Sequence, residues 1–97
     1  MRILTDGQST IIDGMIEKND EGRLHEVQWI ALDLVRKAIG VLEELTPTAR
    51  AKVEVAVEDL LDSMQWTIIS AGGSIPDGRN LAKKCRCMAE VLKEVGQ

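Results

Sequence analysis

Phenylalanine and tyrosine are missing from this 97-residue chain, and two tryptophans supply its entire 2% aromatic content. A single-stranded nucleic-acid platform stacks bases on exposed rings, so this scarcity argues against one. It argues equally against an immunoglobulin-like or small-barrel core. Cysteine is almost as rare: Cys85 and Cys87 stand two apart and form no disulfide framework. No apolar run approaches the ~18 residues of a membrane span. The opening segment, MRILTDGQST, has no apolar stretch of signal-peptide length. The expectation is a soluble protein in a reducing, cytoplasmic setting. Net charge is −4, with a pI of about 4.9, so an electropositive phosphate-binding surface is not expected.

What is present points to one folded unit. Hydrophobic residues make up 44% and charged residues 29%, a globular balance rather than a disordered one. A length of 97 residues leaves room for a single helical domain over 1–97.

The helical punctuation is regular. Thr5-Asp6-Gly7-Gln8 has the form of a capping box. Behind it Ile11, Ile12, Met15 and Ile16 predict a short amphipathic helix over about 7–18. A second helix is expected over about 22–45, with Leu24, Val27, Ala31, Leu34, Ala38, Val41 and Leu45 at alternating steps of three and four. Leu32, Val35, Ile39 and Leu42 form a second stripe beside that seam. The combined arc spans roughly 200° at ~100° per residue, which places this helix at the centre and gives it several neighbours. Thr46-Pro47 suits an N-cap followed by the first helical position. A third helix follows over about 47–71, with a core stripe of Val53, Val57, Leu60, Leu61, Met64, Ile68 and Ala71. Asp77 can cap a last helix, about 78–95, whose stripe is Leu81, Cys85, Met88, Leu92 and Val95. The expected fold is all-α: an antiparallel bundle of four helices with a long central hairpin formed by 22–45 and 47–71.

Chemistry-bearing patterns are sparse. The lone histidine, His25, has no partner Cys or Ser in a recognisable setting and reads as a surface residue in a first turn. The glycines form no phosphate-cradling loop. Glu54, Glu58 and Asp62 fall at i, i+4 and i+8 with Asp59 adjacent, and such a ladder offers a hard cation several oxygens from one face. The run Glu58-Asp59-Leu60-Leu61-Asp62 followed by Trp66 resembles the second metal-binding helix of MazG-type nucleotide pyrophosphohydrolases. That resemblance implies an all-α, metal-dependent nucleotide hydrolase, with Glu54, Glu58, Asp59 and Asp62 as the metal set. The family also carries a Glu-Glu-x-x-Glu helix opposite, of which this chain has only Glu43-Glu44. A solvated acidic face is the simpler reading.

Cys85 falls on the core stripe and reads as a small buried hydrophobe. Cys87 projects elsewhere, near Lys83, Lys84 and Arg86, a setting that favours a reactive thiolate if it is exposed. The two sulfurs point apart and lack the further ligands that zinc requires. Residues 1–70 carry thirteen acids against seven bases, whereas 71–97 carry three against five. Arg79, Lys83, Lys84 and Arg86 thus form a small basic patch, the feature a weak nucleic-acid binder would use.

The tryptophans carry the sharpest signal. On a helical wheel Trp29 falls among His25, Asp33 and Arg36, outside the apolar arc. Trp66 falls near Asp59 and Asp62, with Val55 and Ile69 on the same side. Tryptophan is favoured at binding hot spots, and an exposed Trp/Val/Ile strip calls for cover. That cover is another helix of the chain, a second copy in a homodimer, or a foreign protein. The leading expectation is a small non-enzymatic interaction protein, acting as regulator, adaptor or inhibitor. It would use Trp29, Val55, Trp66 and Ile69 as partner-binding residues, with no cofactor and no membrane contact. Small phage- or plasmid-type inhibitors have a similar profile. The MazG-like hydrolase and the basic-helix nucleic-acid binder stand as alternatives.

Overall fold

The computed structural model describes residues 3–18, 21–70 and 78–96, the side chains of residues 21 and 66–70 excepted. Four α-helices pack together: α1 (Asp6–Lys18), α2 (Leu24–Val41), α3 (Pro47–Ser70) and α4 (Gly78–Val95). Short 3-10 turns at Glu21–Arg23 and Leu42–Glu44 flank α2. No strand occurs among the described residues. The all-α expectation therefore holds.

The helix starts follow from local chemistry. Gln8 N–H donates to Thr5 Oγ1 at 3.1 Å, and Thr5 N–H donates to Gln8 Oε1 at 3.0 Å. This reciprocal capping box satisfies two donors at once and sets the start of α1. At α3, Ala49 N–H donates to Thr46 Oγ1 at 3.2 Å, while Pro47 needs no partner for an N–H it lacks. Asp77, the expected cap of α4, lies outside the described residues.

α2 is shorter than the 22–45 helix expected. It gives way at Val41 to the tighter Leu42–Glu44 turn. Arg50 reaches back from α3, its Nε donating at 3.1 Å to the Leu42 carbonyl, which also accepts the Leu45 N–H at 3.3 Å.

The buried side chains form one cluster. α1 contributes Ile12 and Met15; α2 contributes Val27, Ile30, Ala31, Leu34 and Ala38; α3 contributes Val53, Leu60 and Met64. α4 adds Leu81, Ala82, Cys85, Met88 and Leu92. The expected seams of α2 and α4 thus face inward. The centre is α4 rather than α2, because each of the other three helices packs more extensively on α4 than on any other helix.

Polar links fix the register of α4. Lys52, early in α3, meets Glu94 near the end of α4 at 3.3 Å. Asn80 Nδ2, in the first turn of α4, donates to the buried Ser63 Oγ at 3.1 Å. These two contacts run α3 and α4 in opposite directions. Arg86 pairs with Asp13 and ties α4 to α1. Gly78 packs close to Met15: a Cβ there would lie 2.7 Å from its sulfur and 3.2 Å from Leu24 Cδ1. A bare backbone at that point lets α4 enter against α1 and the start of α2.

Three stripe positions depart from expectation. Leu32 and Ile39, read as a second core stripe of α2, are 42% and 60% exposed. Leu61, read as core of α3, is 44% exposed. On α2 the reason is geometric. Ile30, on the opposite flank of the seam, is the residue that turns inward, so Leu32 and Ile39 are left exposed while Val35 and Leu42 pack partly against the core.

Candidate interaction site

The outer face of α2 starts from helical spacing. Trp29, Leu32, Arg36 and Ile39 recur at steps of three and four, so they share one side of the helix. The core seam occupies the other side, and this face is left to solvent. Trp29 is 60% exposed, more than a side chain of its apolar area normally shows when it serves packing. With Leu32, Asp33, Val35 and Arg36 it lines a shallow depression of about 250 Å³.

Polar contacts hold the edges of this face. The Trp29 indole N–H donates to His25 Nε2 at 3.2 Å, the rings standing edge to face at 6.2 Å and 85°. An accepting Nε2 assigns the neutral imidazole its proton on Nδ1, which is left as a donor. Lys37 pairs with Asp33 at 3.1 Å and donates to the Ile3 carbonyl at 2.7 Å, securing the N-terminal segment against one flank of α2. His25 is exposed, as expected of a first-turn residue.

Val55, 58% exposed, lies elsewhere. It lines an open groove of about 520 Å³ between α3 and α4, with Ala56, Met88 and Val91 as apolar neighbours. Lys52, Asp59, Lys84 and Glu94 rim that groove, and the exposed Cys87 opens onto it. Trp29 and Val55 therefore belong to two separate depressions. The side chains of Trp66 and Ile69, the other two expected contact residues, lie outside the described residues.

Glu54, Glu58, Asp59 and Asp62 are all exposed. Among the described residues no three His, Cys, Asp or Glu side chains come together in a way that could hold a metal ion. The ladder spacing spreads the carboxylates along α3. The basic patch divides: Arg86 is paired with Asp13, and Lys84 turns into the α3/α4 groove. Burial pushes the Cys85 thiol up to about 12 from 9.0 and keeps it protonated and inert.

Sequence reasoning singled out Trp29 but assigned its neighbours Leu32 and Ile39 to the core. The width of the apolar arc was the available signal, since an arc of ~200° exceeds what one or two flanking helices cover. No family model matches this sequence, no curated protein is significantly similar to it, and no solved structure matches it.

Proposed function

We propose that this chain is a small non-enzymatic interaction protein that docks on a protein partner through the outer face of α2. The observation carrying this reading is the exposure of Trp29, Leu32 and Ile39 on one side of a single helix. Large apolar side chains scattered singly over a surface need no explanation, whereas three in helical register form a patch that association would cover. The tryptophan adds a large contact area and an N–H donor, the combination that concentrates binding energy at interfaces. Val55, in the larger α3/α4 groove, offers a second apolar contact. Free thiols at Cys85 and Cys87 suit a reducing, cytoplasmic setting.

The test compares wild type with the Trp29→Ala/Leu32→Ala variant in binding and in thermal unfolding. The expected result is loss of association with an unchanged melting transition. Retained association, or a variant that unfolds, would overturn the assignment of this face.

A further inference from the structure

We propose that His25 is a proton-operated latch on Trp29: neutral, it holds the indole in the position that shapes the outer face of α2, and protonated, it lets the indole go. The inference names a regulation of the docking face and rests on that reading for its consequence, whereas the latch itself belongs to the single chain.

Its basis is the contact between the two rings. Among the described residues, the Trp29 indole N–H has one partner, His25 Nε2 at 3.2 Å. Four residues apart on one helix, the side chains lie one above the other. A helical side chain leans towards the N-terminus, which carries the indole to the imidazole. Nε2 accepts only while its lone pair is free. A proton there turns the acceptor into a second donor, and two N–H groups cannot face each other at that distance. The ring arrangement adds to the conflict. The planes stand at 85° with centroids 6.2 Å apart, and the indole offers its N–H edge. That edge is the positive end of the ring quadrupole, whereas a cation is drawn to the face. An imidazolium therefore loses the bond and meets the repelling part of the ring, and the indole turns away from the position it holds against neutral His25.

Histidine is the side chain whose charge changes between about pH 5 and 8, so such a latch works in the physiological range. No neighbouring charge holds His25 instead. Around the start of α2 stand Glu17 and Lys18 of α1, Glu21 and Arg23 of the 3-10 turn, Asp62 of α3 and Arg79 of α4, with Glu26 on α2 itself. Both signs are present, Arg23 is engaged by Glu26 at 3.4 Å, and no ion pair among the described residues includes His25. Asp33, one turn beyond Trp29, is paired with Lys37. The consequence falls on the depression of about 250 Å³ that Trp29 lines with Leu32 and Val35. It keeps its shape while His25 holds the indole. Docking on this face is expected to be full on the alkaline side of the histidine titration and to weaken on the acid side.

Two-dimensional NMR of the wild-type chain tests the latch, because the protein has only two indole N–H groups and Trp29→Phe assigns one of them. At about pH 8 the Trp29 indole N–H should show through-space contacts to the His25 ring protons, and by about pH 5 these should be lost in step with the titration of the imidazole. In His25→Gln, whose side-chain oxygen accepts the same bond without changing charge, the Trp29 indole signal should stay in place over that range. Contacts absent at the alkaline end or persisting at the acid end, or an indole signal that moves equally in His25→Gln, would overturn the proposal. Both positions are exposed, and circular dichroism at each pH confirms the fold. The readouts need no partner, so their failure removes the latch and leaves the docking face standing. Retained association of the Trp29→Ala/Leu32→Ala variant does the reverse.

Discussion

α2 and α4 are both eighteen residues long, yet they deploy their apolar side chains differently. α4 follows one narrow stripe, and Leu81, Ala82, Cys85, Met88 and Leu92 all reach the core. Among the described residues, none of the five exposed large hydrophobics belongs to it, while three of them, Trp29, Leu32 and Ile39, belong to α2. α4 has as much apolar surface as its three neighbours can cover, and α2 has more. In a chain this small, apolar area beyond the needs of the core stands in water unless another surface takes it. The difference separates a helix that holds the fold together from one that also presents a face.

The largest expected effect tests the buried side of that division. Leu34→Ala on α2 should lower stability by about 2–5 kcal/mol, as loss of a fully buried leucine does, measured by urea denaturation. Ile39→Ala, one turn further along the same helix and 60% exposed, should change it by less than about 0.5 kcal/mol. Equal losses at both positions would erase the distinction.

Next comes the cysteine pair. The native state holds the Cys85 proton up to about pH 12, whereas the unfolded chain releases it near 9.0. Between those values the native state binds more protons, so stability falls as pH rises, by up to about 1.4 kcal/mol per pH unit. Cys85→Ala should remove that component of the alkaline slope. A thiol reagent should titrate Cys87 in the native protein and Cys85 only after unfolding, as their exposure dictates. A smaller effect is expected for Thr46→Ala, which deletes the cap of α3 and should cost about 1 kcal/mol in the same denaturation assay. Smallest is Lys52→Ala: its pair with Glu94 is solvent-exposed on both sides, and the loss should stay below about 0.5 kcal/mol.

Much of the architecture was legible in the sequence because the signals are local. Thr5-x-x-Gln8 and Thr46-Pro47 mark helix starts through short-range hydrogen bonds, and the structure contains both. The seam Val27, Ala31, Leu34 and Ala38 is buried because its spacing allows little else. The second stripe of α2 was not legible. Periodicity places Leu32 and Ile39 beside the seam but does not say on which flank a neighbouring helix lies. That is decided by the approach of α4, which depends on contacts distant in sequence: Asn80 with Ser63, Arg86 with Asp13, and Gly78 against Met15. The same non-local packing explains why α4, whose amphipathic pattern was clear, was not recognisable as the central helix. The candidate site was legible in one residue, Trp29, because its wheel position is independent of which neighbour packs where.

The most direct test of the spare face on α2 is the thermal unfolding of the Trp29→Ala/Leu32→Ala/Ile39→Ala triple variant, at a dilution where wild type does not associate. A surface that contributes nothing to the single chain predicts a melting temperature within a few degrees of wild type, since alanine suits a helix and exposed substitutions cost little. A drop on the scale of Leu34→Ala would place these residues in the core and contradict the account.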